Sequence, residues 1–350
     1  MKPRVSFLVF ALSGLWVALP TNALSQTKKP TTIAEVALYK GDDRQQILEE
    51  GARKEGKLIF YTTGTQAKYL VKAFQKKYPY IDVVEWRGGS EELIPRILEE
   101  YKAGKHLVDV IGPTQAAETV LEEAGMLQPF YSPELANIEE DTIKKAPRGG
   151  VLSAGHFQSG LGVGYNTKLI KKDQLPKTYR DLLDPKWKGK MAIVGSSSGV
   201  LWMGGLLAAY GEEFVKEIVK QKFDVHMVSG RALNDMVING EYPFSPTIFD
   251  AHVLASKAKG APIDWIPLEP VPCHLGQIVL PKHSTHPHAA MLYIDFDLSK
   301  EAGEIYKKEG YDSPRKDIIT PRAYKKYYGY ESTEEVDKLM KLFDRLFVRK

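Results

Sequence analysis

The chain has 350 residues, with 48 Lys and Arg against 44 Asp and Glu and a formal net charge of +4. So slight an excess argues against nucleic acid as a partner, which needs a concentrated basic face. A single cysteine, Cys273, excludes an intramolecular disulfide, so the chain must rest on a large apolar core, and its length suggests two lobes.

The first 25 residues read as an address. Lys2 and Arg4 precede an apolar run over residues 5–19, and Ala23-Leu24-Ser25 places small residues just before a cut at Gln26. This is the secretory signal pattern, and the run is short of the roughly 20 residues that span a bilayer. No cysteine lies near the cut to take a lipid. Without Lys2 and Arg4 the mature chain keeps 46 basic and 44 acidic residues. It is expected to be soluble, periplasmic and monomeric.

Residues 26–44 are polar and without pattern, and read as a mobile N-terminal arm. Residues 45–54 form a short helix. Residues 58–61 are a compact apolar strand ending in Thr62-Thr63-Gly64-Thr65, and Leu70, Ala73 and Phe74 then recur at helical spacing. Residues 82–86 read as the next strand. Ser90 is placed to cap a helix carrying Leu93, Ile97 and Leu98 on one face and closing near Gly104. Residues 108–111 are a third strand, followed by Gly112-Pro113-Thr114-Gln115. Alternating strands and helices predict an open α/β sheet. Such sheets bind ligands at the carboxyl ends of their strands, so the loops 62–65, 87–90 and 113–115 should converge on one crevice.

A second α/β region follows. Residues 160–165 are extended, residues 190–194 are a strand, and Ser196-Ser197-Ser198-Gly199 leads into an apolar helix over 200–210 that Gly211 is placed to stop. A strand-to-loop passage runs from Phe244 through Asp250. Residues 276–280 are a strand and residues 289–298 a helix. Val336, Leu339, Phe343 and Leu346 predict a terminal helix packed on a lobe.

The order of these segments carries a resemblance. Phe60-Tyr61-Thr62, Lys77-Tyr78-Pro79, Trp86-Arg87-Gly88-Gly89-Ser90, Val108-Asp109-Val110, Val163-Gly164-Tyr165-Asn166-Thr167, Asp184-Pro185-Lys186-Trp187-Lys188-Gly189-Lys190, Asn239-Gly240-Glu241 and Asp295-Phe296-Asp297-Leu298-Ser299 stand in family order over about residues 55–322. The chain resembles the extracellular solute-binding proteins of ATP-driven importers, in the ferric-iron-binding branch. The resemblance implies a type II periplasmic-binding-protein fold, two α/β lobes joined by hinge strands with the ligand cleft between them. The expected lobes are 45–165 plus 268–325 and 166–267, with 326–350 as a C-terminal helical segment. The chain should cross between lobes near residues 156–165 and 266–276. The implied partners are a small-molecule ligand and an inner-membrane permease with its ATPase.

Iron-binding members of that family supply a His from the first loop, a Glu after the Val-Asp-Val strand and two neighbouring Tyr after the Gly-Glu segment. Here the first loop is Thr62-Thr63-Gly64-Thr65-Gln66, the second Pro113-Thr114-Gln115, and the third Thr247-Ile248-Phe249-Asp250-Ala251-His252. None of those ligands is present, so no metal or other cofactor is expected. What the loops offer is neutral donors and a helix start, which bind anions through backbone N–H groups and the positive dipole end. The candidate ligand contacts are Thr62, Thr63, Gly64, Thr65, Arg87 and Thr114 from one lobe, and Ser196, Ser197, Ser198, Gly199, Thr247 and Asp250 from the other. Arg87 suits a carboxylate or phosphonate through a bidentate fork, and Asp250 a ligand amine. The expected ligand is a small organic anion or zwitterion.

His283, His286 and His288 have the look of a metal tract but lie in a proline-containing turn, Pro281-Lys282-His283-Ser284-Thr285-His286-Pro287-His288. No nucleophile elbow, zinc-protease helix or phosphate loop is found, so a catalytic role is not expected. An exported enzyme using the same cleft, ferric binding by other ligands and a ligand-presenting sensory module remain alternatives at this level.

Overall fold

A computed structural model describes residues 29–319, 324–329 and 332–349, so the predicted signal lies outside the described residues. In chain order the elements are α1 (Ile33–Leu38), α2 (Arg44–Glu55), β1 (Lys57–Thr62), α3 (Ala67–Lys77), β2 (Asp82–Arg87), α4 (Ser90–Lys102), β3 (Val110–Gly112), α5 (Gln115–Glu123), β4 (Leu127–Gln128) and β5 (Ile143–Lys145). They continue with β6 (Val151–Asn166), β7 (Ala192–Val194), α6 (Ser197–Val219), β8 (Asp224–His226), α7 (Gly230–Asn239), β9 (Phe244–Phe249), α8 (Asp250–Lys257), β10 (Ile263–Ile266), β11 (Val271–Ile278) and β12 (Leu280–Pro281). The last are α9 (Pro287–Asp297), α10 (Lys300–Lys308), β13 (Lys326–Tyr327) and α11 (Thr333–Phe343). No helix among the described residues is long and apolar enough to cross a membrane.

The first lobe is built on the parallel order β2-β1-β3. Side chains alternate across β1 as a pleated strand requires. Leu58 and Phe60 enter a core with Leu70 and Phe74 of α3 and Tyr293 of α9, whereas Ile59 and Tyr61 meet Leu93 and Ile97 of α4 on the opposite face. Asp109 fastens this lobe to the loop before α9. It is fully buried, and its carboxylate accepts from the backbone N–H groups of Ile59, Thr285 and His286 at 2.8–3.0 Å and from the Ser284 hydroxyl at 3.0 Å.

One strand joins the two lobes. Residues 154–160 of β6 pair with β11, while Leu161–Asn166 pair with β9 and β10 of the second lobe. The division between the lobes therefore falls inside β6 rather than after Tyr165. The chain returns between Ile266, still paired with Val163, and Val271 at the start of β11. In the second lobe β7 and β8 are parallel, and Met191 bridges to Phe244 beside them. Cys273 is buried on β11, where burial raises its thiol pKa and keeps it unreactive.

Three expectations are corrected. Residues 29–44 are not a free arm: Thr32 caps α1 in a reciprocal capping box with Glu35, Val36 and Ala37 are buried in the first core, and Arg44 is buried and paired with Asp295. The segment is too short to show a helical period. Ser90 does not cap α4. Gly89 is the cap, and the Ser90 hydroxyl lies 3.2 Å from that of Thr114. The apolar helix starts three residues early, at Ser197, while Gly211, at φ 80° and ψ 174°, stops it as expected and a second helical stretch follows to Val219.

The terminal helix spans the lobes instead of lying on one. Leu339, Phe343 and the following Phe347 complete the core around Trp202 of α6, and Ala116 of α5 packs against the same core. At the start of α11 the Thr333 N–H donates to Glu123 at the end of α5 at 3.1 Å. Phe343 is 2% exposed. We therefore expect Phe343→Ala to cost about 3–5 kcal/mol in chemical denaturation. A loss under about 1 kcal/mol would show that α11 is not part of this core.

Candidate ligand-binding cleft

The register of the first sheet sets Thr62 level with Arg87 and with Gly112, so the three strands end together. In the second lobe the Val194 N–H donates to the Thr247 hydroxyl at 3.1 Å, which places the start of α6 beside the junction of β9 and α8. Helices α3, α4 and α5 start from the first set of strand ends, and α6, α7 and α8 from the second. The lobes meet where α10 ends. There Gly310 lies so close to α8 that a Cβ on it would sit 3.3 Å from Leu254 and 3.6 Å from Ala251.

Three of the sequence-predicted contacts are spent on the protein itself. Thr62 is buried, donates to the Gly112 carbonyl at 3.1 Å and accepts from the Gly64 N–H at 3.0 Å. Thr247 is buried, its hydroxyl taken by Val194 and by Ser245 at 3.2 Å. Asp250 is 1% exposed and accepts from the Ser159 hydroxyl and the Ala251 N–H, both at 2.6 Å, with the Tyr324 hydroxyl at 3.5 Å. It ties α8 to β6 and itself occupies the positive end of α8.

The others keep accessible surface or a backbone role. Thr63 is partly exposed and donates to the Gly112 carbonyl at 3.3 Å, and Thr65 is exposed with its hydroxyl 2.9 Å from that of Tyr311. Gly64 is buried beneath the Gln66 side chain. Arg87 is exposed at the end of β2. Thr114 caps α5, accepting from the Ala117 N–H at 3.2 Å. Ser196 caps α6 without any side-chain cap bond, Ser197 is exposed, Ser198 is partly exposed, and the first turn of α6 holds no acid. Gly199 is required there: a Cβ would collide with the Val194 carbonyl and press on the Phe343 ring.

Sequence reasoning missed the histidines of the cleft. His252 in the first turn of α8 and His274 on β11 flank Phe249, with ring centroids 5.4 Å and 5.9 Å from it. Each is partly exposed as a residue, yet the Nδ1 of His252 and the Nε2 of His274 are sealed and without a hydrogen-bond partner among the described residues. Burial, with the Arg231 guanidinium nearby, pushes His252 down to about 3. Burial, with His156 nearby, pushes His274 down to about 4. No local motif announces these positions, since they come together only through strand pairing. The tract of three histidines separates instead. His286 bonds to Asp109 at 2.8 Å, His288 to Glu55 at 2.6 Å, and His283 lies 3.3 Å from the Tyr101 hydroxyl. Among the described residues no group of three or more His, Cys, Asp or Glu side chains is placed to hold a metal ion.

A family model described as bacterial extracellular solute-binding protein matches residues 107–331. The chain belongs to this family. A bacterial extracellular solute-binding protein is thus at hand. An uncharacterized protein of Haemophilus influenzae is 26% identical over 273 residues, covering 74% of this chain and 78% of that one. Iron-bound HitA from Pseudomonas aeruginosa superposes with a TM-score of 0.69 at 22% identity, over 83% of this chain and 99% of that one. AfuA from Actinobacillus pleuropneumoniae with fructose-6-phosphate bound gives 0.68 at 22%, over 84% and 99%. The two structures establish the two-lobe fold. The family and these neighbours are binding proteins rather than enzymes.

The buried imidazoles give this solute-binding protein a definite acid response. An unfolded histidine titrates near 6.5, so below that pH the unfolded chain takes protons that folded His252 and His274 refuse. Their contribution is complete above about pH 6.5 and is lost as pH falls toward 4, by up to about 1.4 kcal/mol per unit for each. Glu118 has the opposite sign: burial raises its carboxyl to about 7, so its contribution falls as pH rises from 4.5 to 7. Because that term is common to both proteins, a His252→Gln/His274→Gln variant should lose less stability than the parent between pH 7 and pH 5 in urea unfolding. Equal losses would mean that the imidazoles are not held neutral.

Proposed function

We propose that the protein is the exported receptor of an ATP-driven importer. It captures a small organic anion or zwitterion bearing a carboxylate, phosphonate or phosphate, and delivers it as a monomer to an inner-membrane permease with its ATPase. Residues 1–25 direct export and are cleaved near Ser25. The working lobes divide inside β6, between Gly160 and Leu161. The observation that carries the ligand reading is the open first turn of α6: a helix start at a strand end, without side-chain cap, without acid, and with Ser197 exposed. Such a turn presents unpaired N–H groups and a positive dipole end to an anion. The corresponding turn of α8 already carries Asp250, which directs the anionic head to 196–199. In this reading Thr63, Gly64, Thr65 and Thr114 close on it from the first lobe, and Arg87 adds charge at the rim.

HitA was solved with iron and AfuA with a sugar phosphate, so the fold alone does not select the cargo. The third loop here carries Phe249 and Asp250, and Asp250 is engaged by Ser159, which favours an anion held by backbone and hydroxyl groups over ferric iron. A thermal-shift comparison of the chain from Gln26, with carboxylates, phosphonates, sugar phosphates and ferric citrate, tests this. A ligand at 100 times its dissociation constant should add about 2.7 kcal/mol. Ser197→Glu, which puts an acid in the first turn of α6, should remove that gain. Strong stabilisation by ferric iron alone that survives Ser197→Glu would overturn the reading.

A further inference from the structure

Five buried side-chain atoms without a hydrogen-bond partner among the described residues lie on elements that border the cleft. They are Gln66 Oε1 before α3, Gln115 Oε1 at the head of α5, His274 Nε2 and Gln277 Oε1 on β11, and His252 Nδ1 in α8. The Gln277 N–H donates to the Pro113 carbonyl at 3.0 Å, so β11 adjoins the loop that carries Gln115. All five belong to uncharged side chains, so these elements add polarity to the borders of the cleft without adding charge.

Aromatic rings run through the same region. Phe249 has His252 and His274 on either side. Phe157 continues the series, 5.7 Å from His274 and 5.1 Å from Tyr311. The first two come from α8 and its leading strand, Phe157 and His274 from the hinge strands, and Tyr311 from the first lobe. Phe249, His252, His274 and Tyr311 all keep accessible surface. Gly230 at the head of α7 leaves the ring edges uncovered: a Cβ there would lie 3.4 Å from His252 and 3.5 Å from Phe249. Arg231 donates to the His252 carbonyl at 3.2 Å and stands beside the ring series.

We propose that the ligand's body is a flat aromatic or heteroaromatic ring carrying hydrogen-bonding substituents, seated against Phe249 between His252 and His274. This rests on the reading of the cleft given above, and adds that the anionic head at 196–199 belongs to an aromatic acid. Tilted ring pairs are a favoured arrangement for aromatic partners, and the accessible parts of Phe249, His252, His274 and Tyr311 offer such surfaces. An aliphatic acid leaves the ring surface unused. A hexose phosphate needs several directed acceptors, and Asp250 is engaged by Ser159.

The test is isothermal titration of the chain from Gln26 with 4-hydroxybenzoate and nicotinate, against glutamate, citrate and glucose 6-phosphate. We expect an aromatic acid to bind, Phe249→Leu to weaken it at least tenfold while unfolding at an unchanged urea midpoint, and Phe249→Tyr to retain it. His274→Ala and His252→Ala should each weaken it about tenfold. Binding of an aliphatic acid or the sugar phosphate but neither aromatic acid overturns the ring assignment and leaves the anion reading standing. So does aromatic binding that Phe249→Leu does not change. No binding by any of the five overturns both.

Discussion

The molecule depends on a single strand that serves two sheets. Along β6 all residues but one are buried, and the two halves find different partners. Each half must therefore meet two packing environments in one unbroken backbone. Glycine makes this possible where neighbours crowd in. A Cβ at Gly162 would run into the Trp265 ring and lie 2.6 Å from the Ile266 carbonyl, and one at Gly164 would sit 2.9 Å from Ile248. The alternating glycines of 160–164 are the condition for two sheets to share a spine, which is why they read as neither a nucleotide fingerprint nor a flexible linker.

The polar residues near this spine divide by what holds them. Thr62, Thr247, Asp250 and Asp109 all have their hydrogen bonds supplied from within, and each fastens one element to another. A buried carboxylate is tolerated only when its oxygens are so occupied. The first turn of α6, and the imidazoles beside Phe249, lack that provision. The distinction between scaffold and cleft is thus a matter of satisfied against unsatisfied polar groups rather than of residue type.

Much of the fold was legible because strands and helices here announce themselves by period. Residues 57–62, 67–77, 82–87 and 287–297 follow apolar patterns that propensity and packing both support. Local signals failed where long-range partners decide. Ser90 has the right chemistry for a cap, but Gly89 has the conformation and Thr114 takes the hydroxyl. Val36 and Ala37 form too short a stripe to be noticed until α9 covers them. His286 and His288 find carboxylates 177 and 233 positions away, and no spacing rule reaches that far. The same holds for the cleft. The serines of 196–198 stand out in a row, whereas His252 and His274 become neighbours only when β9 and β11 settle on the two halves of β6.

The docking of α11 has a consequence for the order in which the molecule can be completed. The second core takes Leu339, Phe343 and Phe347 from the last residues of the chain, and the first core takes Tyr293, Phe296 and Tyr306 from beyond the second lobe. Neither lobe is a continuous stretch of sequence. A chain emerging from its N-terminus reaches Gly199 long before the ring that covers it exists, so the turn offered to an anion stays unsupported until α11 has been made. Contacts of this sequence separation slow folding and leave apolar surface open meanwhile. The architecture therefore suits a chain that finishes folding only after α11 is available.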